Sequence, residues 1–181
     1  MAILQLIMGP DPILAQTALP VFAIDKSVKQ LVEDMFETLY ARRGLGIGAN
    51  MIGELKRIIV VDLQESGIKA PLACINPEII WQSEQMATRE EASLCFPGIS
   101  ANISRPDGIK IKYQDINGEA CELKAEGWLA TIIQHEMDYL DGKTYLDYLS
   151  RMKRERLLKK MVKQLRNNHS CGDPGCSHDH H

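Results

Sequence analysis

Several things are missing from this chain of 181 residues, and each absence closes off a class of explanation. No uninterrupted apolar run approaches the ~20 residues that cross a bilayer, so no membrane span is expected. The start, Met1-Ala2-Ile3-Leu4-Gln5-Leu6-Ile7, lacks a basic leader and runs into Pro10 and Pro12, which argues against a signal peptide. Cysteine is present without a framework: Cys74, Cys95 and Cys121 are scattered through the body, and Cys171 and Cys176 sit at the end. An odd, unclustered set of thiols points to a reducing cytoplasm. There is no internal repeat and no linker. An apolar content of 45% with 25% charged residues suits one compact domain.

What is present begins with charge. The net charge is −3, but it is unevenly spread. Between Ser150 and Asn168, eight basic residues (Arg151, Lys153, Arg154, Arg156, Lys159, Lys160, Lys163, Arg166) stand against Glu155 alone, a net +7 that leaves −10 on the rest. Most charge runs are a solvated face, but a positive segment on an acidic body also suits a polyanionic partner.

The first stretch, with Asp11-Pro12 and Leu19-Pro20, reads as extended or turning chain. Val28, Leu31, Val32, Met35 and Leu39 then recur at helical spacing, with Asp25 or Ser27 available as a cap and Gly44 as the end. Strands are predicted at Arg57–Leu63 and at Pro71–Asn76, the latter stopped by Pro77. Gly108–Asp115 alternates apolar and polar residues, and Asn117-Gly118 predicts a tight turn into a partner strand, Glu119–Lys124. Glu90–Phe96 is extended in character and closes on Pro97-Gly98. Helical spacing returns over Glu126–Leu140, with Leu129, Ile132, Ile133, Glu136 and Leu140 on one side and Gly142 as terminator. A last helix is predicted over Ser150–Leu165, its apolar stripe made by Leu158, Met161, Val162 and Leu165. The sequence thus reads as one α+β domain over residues 1–168, followed by a flexible Cys/His-rich tail over 169–181.

Two stretches carry more than structure. Gly44-Leu45-Gly46-Ile47-Gly48-Ala49-Asn50 follows a helix and leads toward a strand, the wrong context for a dinucleotide fingerprint, and lacks the Lys-Ser/Thr of a P-loop. Close approach of backbone to another element or a ligand is the better explanation. Gln134-His135-Glu136-Met137-Asp138-Tyr139 reads as mid-helix and carries His-Glu-x-x-Tyr where a metallohydrolase carries His-Glu-x-x-His. In that zinc motif, histidines at i and i+4 chelate the metal and the glutamate takes a proton from the bound water. Here His135 and Glu136 stand, and Tyr139 fills the second ligand position.

The Gly-rich loop, an acidic-then-small segment ending in Pro-Gly, and His-Glu on a late helix occur together and in that order. In this the chain resembles the peptide deformylase family, from about Pro10 through the last helix. The resemblance implies antiparallel sheets around the helix that bears His135 and Glu136, with a basic C-terminal helix. It implies a cytoplasmic hydrolase of protein biosynthesis that removes the formyl group from the N-terminal methionine of nascent bacterial proteins. The family's cofactor is a divalent metal, iron or a zinc or nickel substitute, held by one Cys and two His. A Glu acts as acid/base, and a Gln side chain and a backbone N–H bind the oxyanion.

Carried across, the family's Gly-φ-Gly-x-Ala-Ala-x-Gln loop runs Gly44-Leu45-Gly46-Ile47-Gly48-Ala49-Asn50-Met51 here, so Met51 replaces the oxyanion Gln. Its Glu-Gly-Cys-Leu-Ser segment runs Glu91-Ala92-Ser93-Leu94-Cys95, so Ser93 replaces the thiolate and Leu94 supplies the backbone donor. The resemblance thereby assigns Glu136, Leu94 and Met51 to the catalytic positions and His135, Ser93 and Tyr139 to the metal positions. Leu45, Gly46 and Glu91 fall at substrate-binding positions, and Gln134 also matches. The implied partner is an N-formyl-methionyl peptide or nascent chain. The basic last helix is similar in position and charge to extensions that dock some deformylases on the ribosome. Neither DNA nor a membrane is expected.

Those exchanges weigh against the family's chemistry. A ligand must offer a lone pair at working pH. Cysteine, with a pKa near ~8.5, does so readily beside a metal; a phenol near ~10 and a serine hydroxyl do not. Loss of one oxyanion donor alone typically costs on the order of a hundred- to a thousand-fold in rate. The expectation is weak or lost deformylase activity, with a binder of nascent N-termini or ribosomes as what remains. The competing expectation is an active divergent metallohydrolase using His135, Asp138 and Cys95. Cys95 lies about 6.5 Å beyond Ser93 along an extended strand, so this needs a bulge near Pro97. The Tyr139 hydroxyl is expected to satisfy a buried Glu136. Cys171, Cys176, His178, His180 and His181 could bind a transition metal on composition alone.

Overall fold

Asp25 starts the first helix as the sequence suggests. Its carboxylate accepts the Val28 N–H at 3.0 Å, and helix α1 (Lys26–Ala41) buries Val28, Val32, Met35 and Leu39. These features belong to a computed structural model that describes residues 2–170. Ahead of α1 a single turn over Pro12–Ala15 is capped by Asp11, and bridges tie Thr17 to Asp141 and Leu19 to Lys56. After α1 come strands β1 (Gly46–Gly48), β2 (Ile58–Val61) and β3 (Leu72–Gln82). The chain then leaves to form a separate hairpin, β4 (Met86–Ser93) and β5 (Phe96–Pro106). It returns as β6 (Gly108–Gln114) and β7 (Ala120–Glu126), completing an antiparallel sheet in the order β1-β2-β3-β6-β7.

Helix α2 (Gly127–Leu140) carries the His-Glu pair and is buried on more than one side. Ala130, Ile133, Met137 and Leu140 join an apolar cluster with Ile59, Val61, Ile109 and Ile111 of the sheet. Tyr139 belongs to a second cluster that includes Val32, Met35 and Leu39 of α1 and Phe96, Ile99 and Ile103 of β5. The sequence predicts one apolar side, but the helix packs against two layers. Gly142, at φ 72°, ends it. The α+β architecture with antiparallel sheets is therefore the one expected. The last helix, α3 (Arg151–Ser170), runs past the predicted Leu165; the remaining tail, Cys171–His181, lies outside the described residues. Cys74 and Cys95 are buried free thiols, and Cys121 is a half-buried one. Among the described residues no helix is long and apolar enough to cross a membrane.

Two strand boundaries need correction. Pro77 does not stop β3; the strand shifts register between Ile75 and Glu78 and continues to Gln82. A bulge absorbs a residue that cannot donate to the ladder. Asn76 takes a left-handed φ of 52°, and its side chain bonds the Val21 backbone and Gln114. Pro97-Gly98 does not close the Glu90–Phe96 segment either. Ser93 pairs with Phe96, so the turn is Leu94-Cys95, and Pro97 lies within β5. In a two-stranded hairpin each strand has an unpaired edge, where a proline's missing N–H costs little. The Asn117-Gly118 turn is found where predicted, with the Asp115 carboxylate accepting the N–H groups of Asn117 and Glu119.

Candidate functional site at the hairpin turn

Glycine at 46 is required by the helix beside it. A Cβ there would lie 2.7 Å from Cγ of Glu136, and one on Gly48 would lie 3.2 Å from the Glu136 carbonyl. The close backbone approach inferred from the Gly-rich loop is thus made to α2. The β4–β5 turn delivers Glu91, Ser93 and Leu94 to the same place, and α2 delivers His135 and Glu136. Together with Leu45, Gly46 and Met51 they line a cleft of ≈ 350 Å³. Tyr139, fully buried, lies beneath.

His135 is oriented by a carboxylate. Its Nδ1 lies 2.7 Å from Oε1 of Glu91, which fixes the ring and leaves Nε2 as the nitrogen without a protein partner among the described residues. Arg105 donates to both Glu91 oxygens, at 2.7 and 2.9 Å, and through Nη1 to Asp138 Oδ2 at 2.8 Å. Burial works to raise the Glu91 pKa, but the hydrogen bonds from His135 and Arg105 prevail and hold it below the usual carboxylate range. Glu136 has no side-chain donor of that kind, although the Gly48 N–H acts to lower its pKa. Burial pushes its carboxyl up to about 7, with the nearby His135 acting in the opposite direction, and its Oε2 is buried without a hydrogen-bond partner. The Tyr139 hydroxyl does not satisfy it, contrary to expectation; that hydroxyl lies 2.6 Å from Ser93 Oγ. The hairpin turn sets Ser93 against that hydroxyl, and Glu136 Oε2 is left without it.

A divalent ion does not fit these donors. Ser93 and Tyr139 spend their hydroxyls on each other, and burial raises the Tyr139 phenol well above its ordinary value. Ser93 Oγ also accepts the Cys95 N–H at 3.2 Å. Burial and then the Glu136 charge push the Cys95 thiol up to about 12, far from a thiolate. Asp138 lines a different cleft, of ≈ 730 Å³, with its Oδ2 shared between Arg105 and the Tyr148 hydroxyl. Among the described residues no three His, Cys, Asp or Glu side chains converge as a metal site. Met51 has turned inward, its Sδ accepting the Gly48 N–H at 3.3 Å, and a thioether donates nothing to an oxyanion.

Sequence reasoning missed Arg105 and Trp128. Arg105 follows Ile103 on the inward face of β5, and a charged residue at an inward strand position is the signal of a buried ion pair. Trp128, half exposed at the start of α2, lines the cleft, but nothing in its spacing announces this.

Residues 3–155 match the family model described as polypeptide deformylase. A Rickettsia conorii protein named peptide deformylase-like is 47% identical over 176 residues, covering 96% of both chains. Peptide deformylase 1 of the same organism is 41% identical, covering 93% of this chain and 99% of its own. Among solved structures, peptide deformylase from Ehrlichia chaffeensis in complex with actinonin superposes with a TM-score of 0.87 at 38% identity, covering 91% of this chain and 98% of that one. One from Legionella pneumophila gives 0.88 at 34% identity, covering 96% of this chain and 100% of that one.

Proposed function

The chain belongs to the polypeptide deformylase family, and from that premise we propose that it keeps the family's cleft for peptide N-termini while the metal-dependent deformylation is weak or lost. One observation carries the proposal: the Ser93–Tyr139 hydroxyl pair, 2.6 Å apart, stands at two of the three positions where the family places metal ligands. His135 alone keeps a ligating nitrogen, and the Glu91–Arg105 pair still orients it. In a working member the ion would supply Lewis-acid polarisation and an activated water. Here the residues that remain do three things. Glu91 holds the imidazole, Leu94 at the hairpin turn offers its backbone to a bound peptide, and the apolar walls around Leu45 and Met51 exclude water from an N-terminal side chain. The family's place in N-terminal methionine processing makes the cytoplasm the setting, and the exposed basic face of α3 suits docking on ribosomal RNA.

The test is formate release from a formyl-methionyl peptide, with protein prepared anaerobically and loaded in turn with iron, nickel and zinc. The unmodified chain is expected to stay at background. A Met51→Gln, Ser93→Cys, Tyr139→His triple variant is expected to gain turnover, because the scaffold still presents those positions together. Substantial turnover by the unmodified chain would overturn the proposal and return Cys95 and Asp138 to consideration as ligands.

A further inference from the structure

Resting on that metal-free reading, we propose a further activity: metal-independent hydrolysis of small carboxylic esters. Ser93 is the nucleophile, His135 the general base, and Glu91 the carboxylate that orients His135.

The base and its orienter are already in place. Glu91 Oε1 lies 2.7 Å from His135 Nδ1, both residues are buried, and the Arg105 guanidinium holds both oxygens of the carboxylate. Glu91 is kept ionised and can only accept, so Nδ1 carries the ring proton and Nε2 keeps a lone pair. That lone pair is open to the cleft that His135 lines. Among the described residues the sealed side-chain atoms without a partner are Glu37 Oε2, Asn50 Oδ1 and Glu136 Oε2, and His135 Nε2 is not one of them. A serine beside a histidine that a carboxylate orients is recognised by these roles, whatever the fold.

Hydrogen-bond accounting then places the Ser93 proton. Tyr139 is fully buried, so its O–H needs an acceptor. Ser93 Oγ, at 2.6 Å, is a stronger one than the neighbouring Cys95 sulfur. The Cys95 N–H donates to the same oxygen at 3.2 Å. Both acceptor positions of Ser93 are thus taken, and its own proton is left for another group. Ser93 and His135 line one cleft, where Nε2 is an acceptor no protein group uses. Ser93 leans toward Tyr139 here and is not bonded to His135; such bonds are often long until a substrate binds. The long Cys95 bond is the one to yield its lone pair on attack, and Tyr139 remains to stabilise the developing charge. Leu94 follows the nucleophile in the chain, the position from which a backbone N–H serves an oxyanion in nucleophile-elbow sites.

The steps balance. Ser93 Oγ bonds to the ester carbonyl carbon as its proton passes to His135 Nε2, and the C–O bond to the alcohol breaks, the alcohol leaving with that proton. Water then attacks the acyl group on Ser93 and gives a proton to His135; the acid departs and Ser93 recovers its proton. Ester and water become acid and alcohol. The cleft of ≈ 350 Å³ is near the lower end of the roughly 300–1,000 Å³ typical of small-ligand sites, which favours short acyl groups.

A fluorophosphonate probe, which phosphonylates activated serines, tests this on the full chain in EDTA at pH 7, with the adduct mapped by mass spectrometry. One adduct is expected, at Ser93, forming at least about a hundredfold faster than on the urea-unfolded chain. Hydrolysis of phenyl acetate is expected to vanish on labelling and in Ser93→Ala. Should that variant fail to fold, the mapped adduct and the loss of turnover on labelling decide alone. An adduct elsewhere, no adduct, or ester turnover that survives labelling overturns this inference and leaves the metal-free reading standing. Iron-dependent, EDTA-sensitive formate release overturns the reading beneath it.

Discussion

Glu136 is a carboxyl held in surroundings that its type does not expect. A carboxyl has an ordinary pKa near ~4.3, and burial in the fold pushes this one up to about 7. A folded pKa above the unfolded value means the fold prefers the protonated acid. The stability linked to it is complete below about pH 4 and is lost as pH rises through about 7. Glu136→Gln, which mimics the protonated acid, is therefore expected to stabilise the protein at pH 8 by on the order of a few kcal/mol. Its effect should shrink toward zero near pH 4. Urea unfolding of both proteins at the two pH values measures this; a difference that does not change with pH would mean the carboxyl is solvated or paired in solution. The local motifs that carry His135, Glu136, Glu91 and Leu94 could be read from the sequence, and the fold brings all four to one cleft. The hydrogen bond between Ser93 and Tyr139 was not, because it joins a hairpin turn to a distant helix and no local pattern encodes it.

At the scale of elements, the site depends on how closely β1 lies against α2. The Gly-rich loop showed that some close approach was needed, but its partner is set by the packing of the sheet on the helix. Gly46→Ala tests that contact. The added Cβ would meet Glu136 Cγ and Oε1 at 2.7 Å, and a buried side chain has little room to withdraw. The expected cost is about 1–3 kcal/mol, read from the urea midpoint at pH 7. Unchanged stability would mean that Glu136 swings freely and that β1 does not clamp it. The strand ends show the same limit of sequence. Pro77 and Pro97-Gly98 are local stop signals, yet a bulge carries β3 past the first and a free hairpin edge tolerates the second. The helix starts were easier. The Asp25 carboxylate and its bond to Val28 lie within one turn of each other, so the cap could be read directly.

The whole molecule is an acidic body with a basic helix along one side, and this asymmetry was fully legible because charge needs no fold to be counted. The structure adds orientation. In α3, Met161 is buried while Lys153, Arg156, Lys159, Lys160, Lys163 and Arg166 are exposed. A solvated face would look the same, so only binding separates the two explanations. If α3 docks on ribosomal RNA, each phosphate it neutralises releases counterions, and log affinity falls with log salt by roughly 0.7–0.9 per contact. Co-sedimentation with ribosomes is then expected at low salt and should fall steeply as salt rises. The pair Lys159→Glu and Lys163→Glu should weaken association and flatten the salt slope by about 2 if both residues touch phosphate. Both substitutions are on the exposed side, so stability should stay within about 0.5 kcal/mol. Association that ignores salt, or that the double variant leaves untouched, would assign the basic helix to solvent and leave the cleft to meet its peptide without the ribosome.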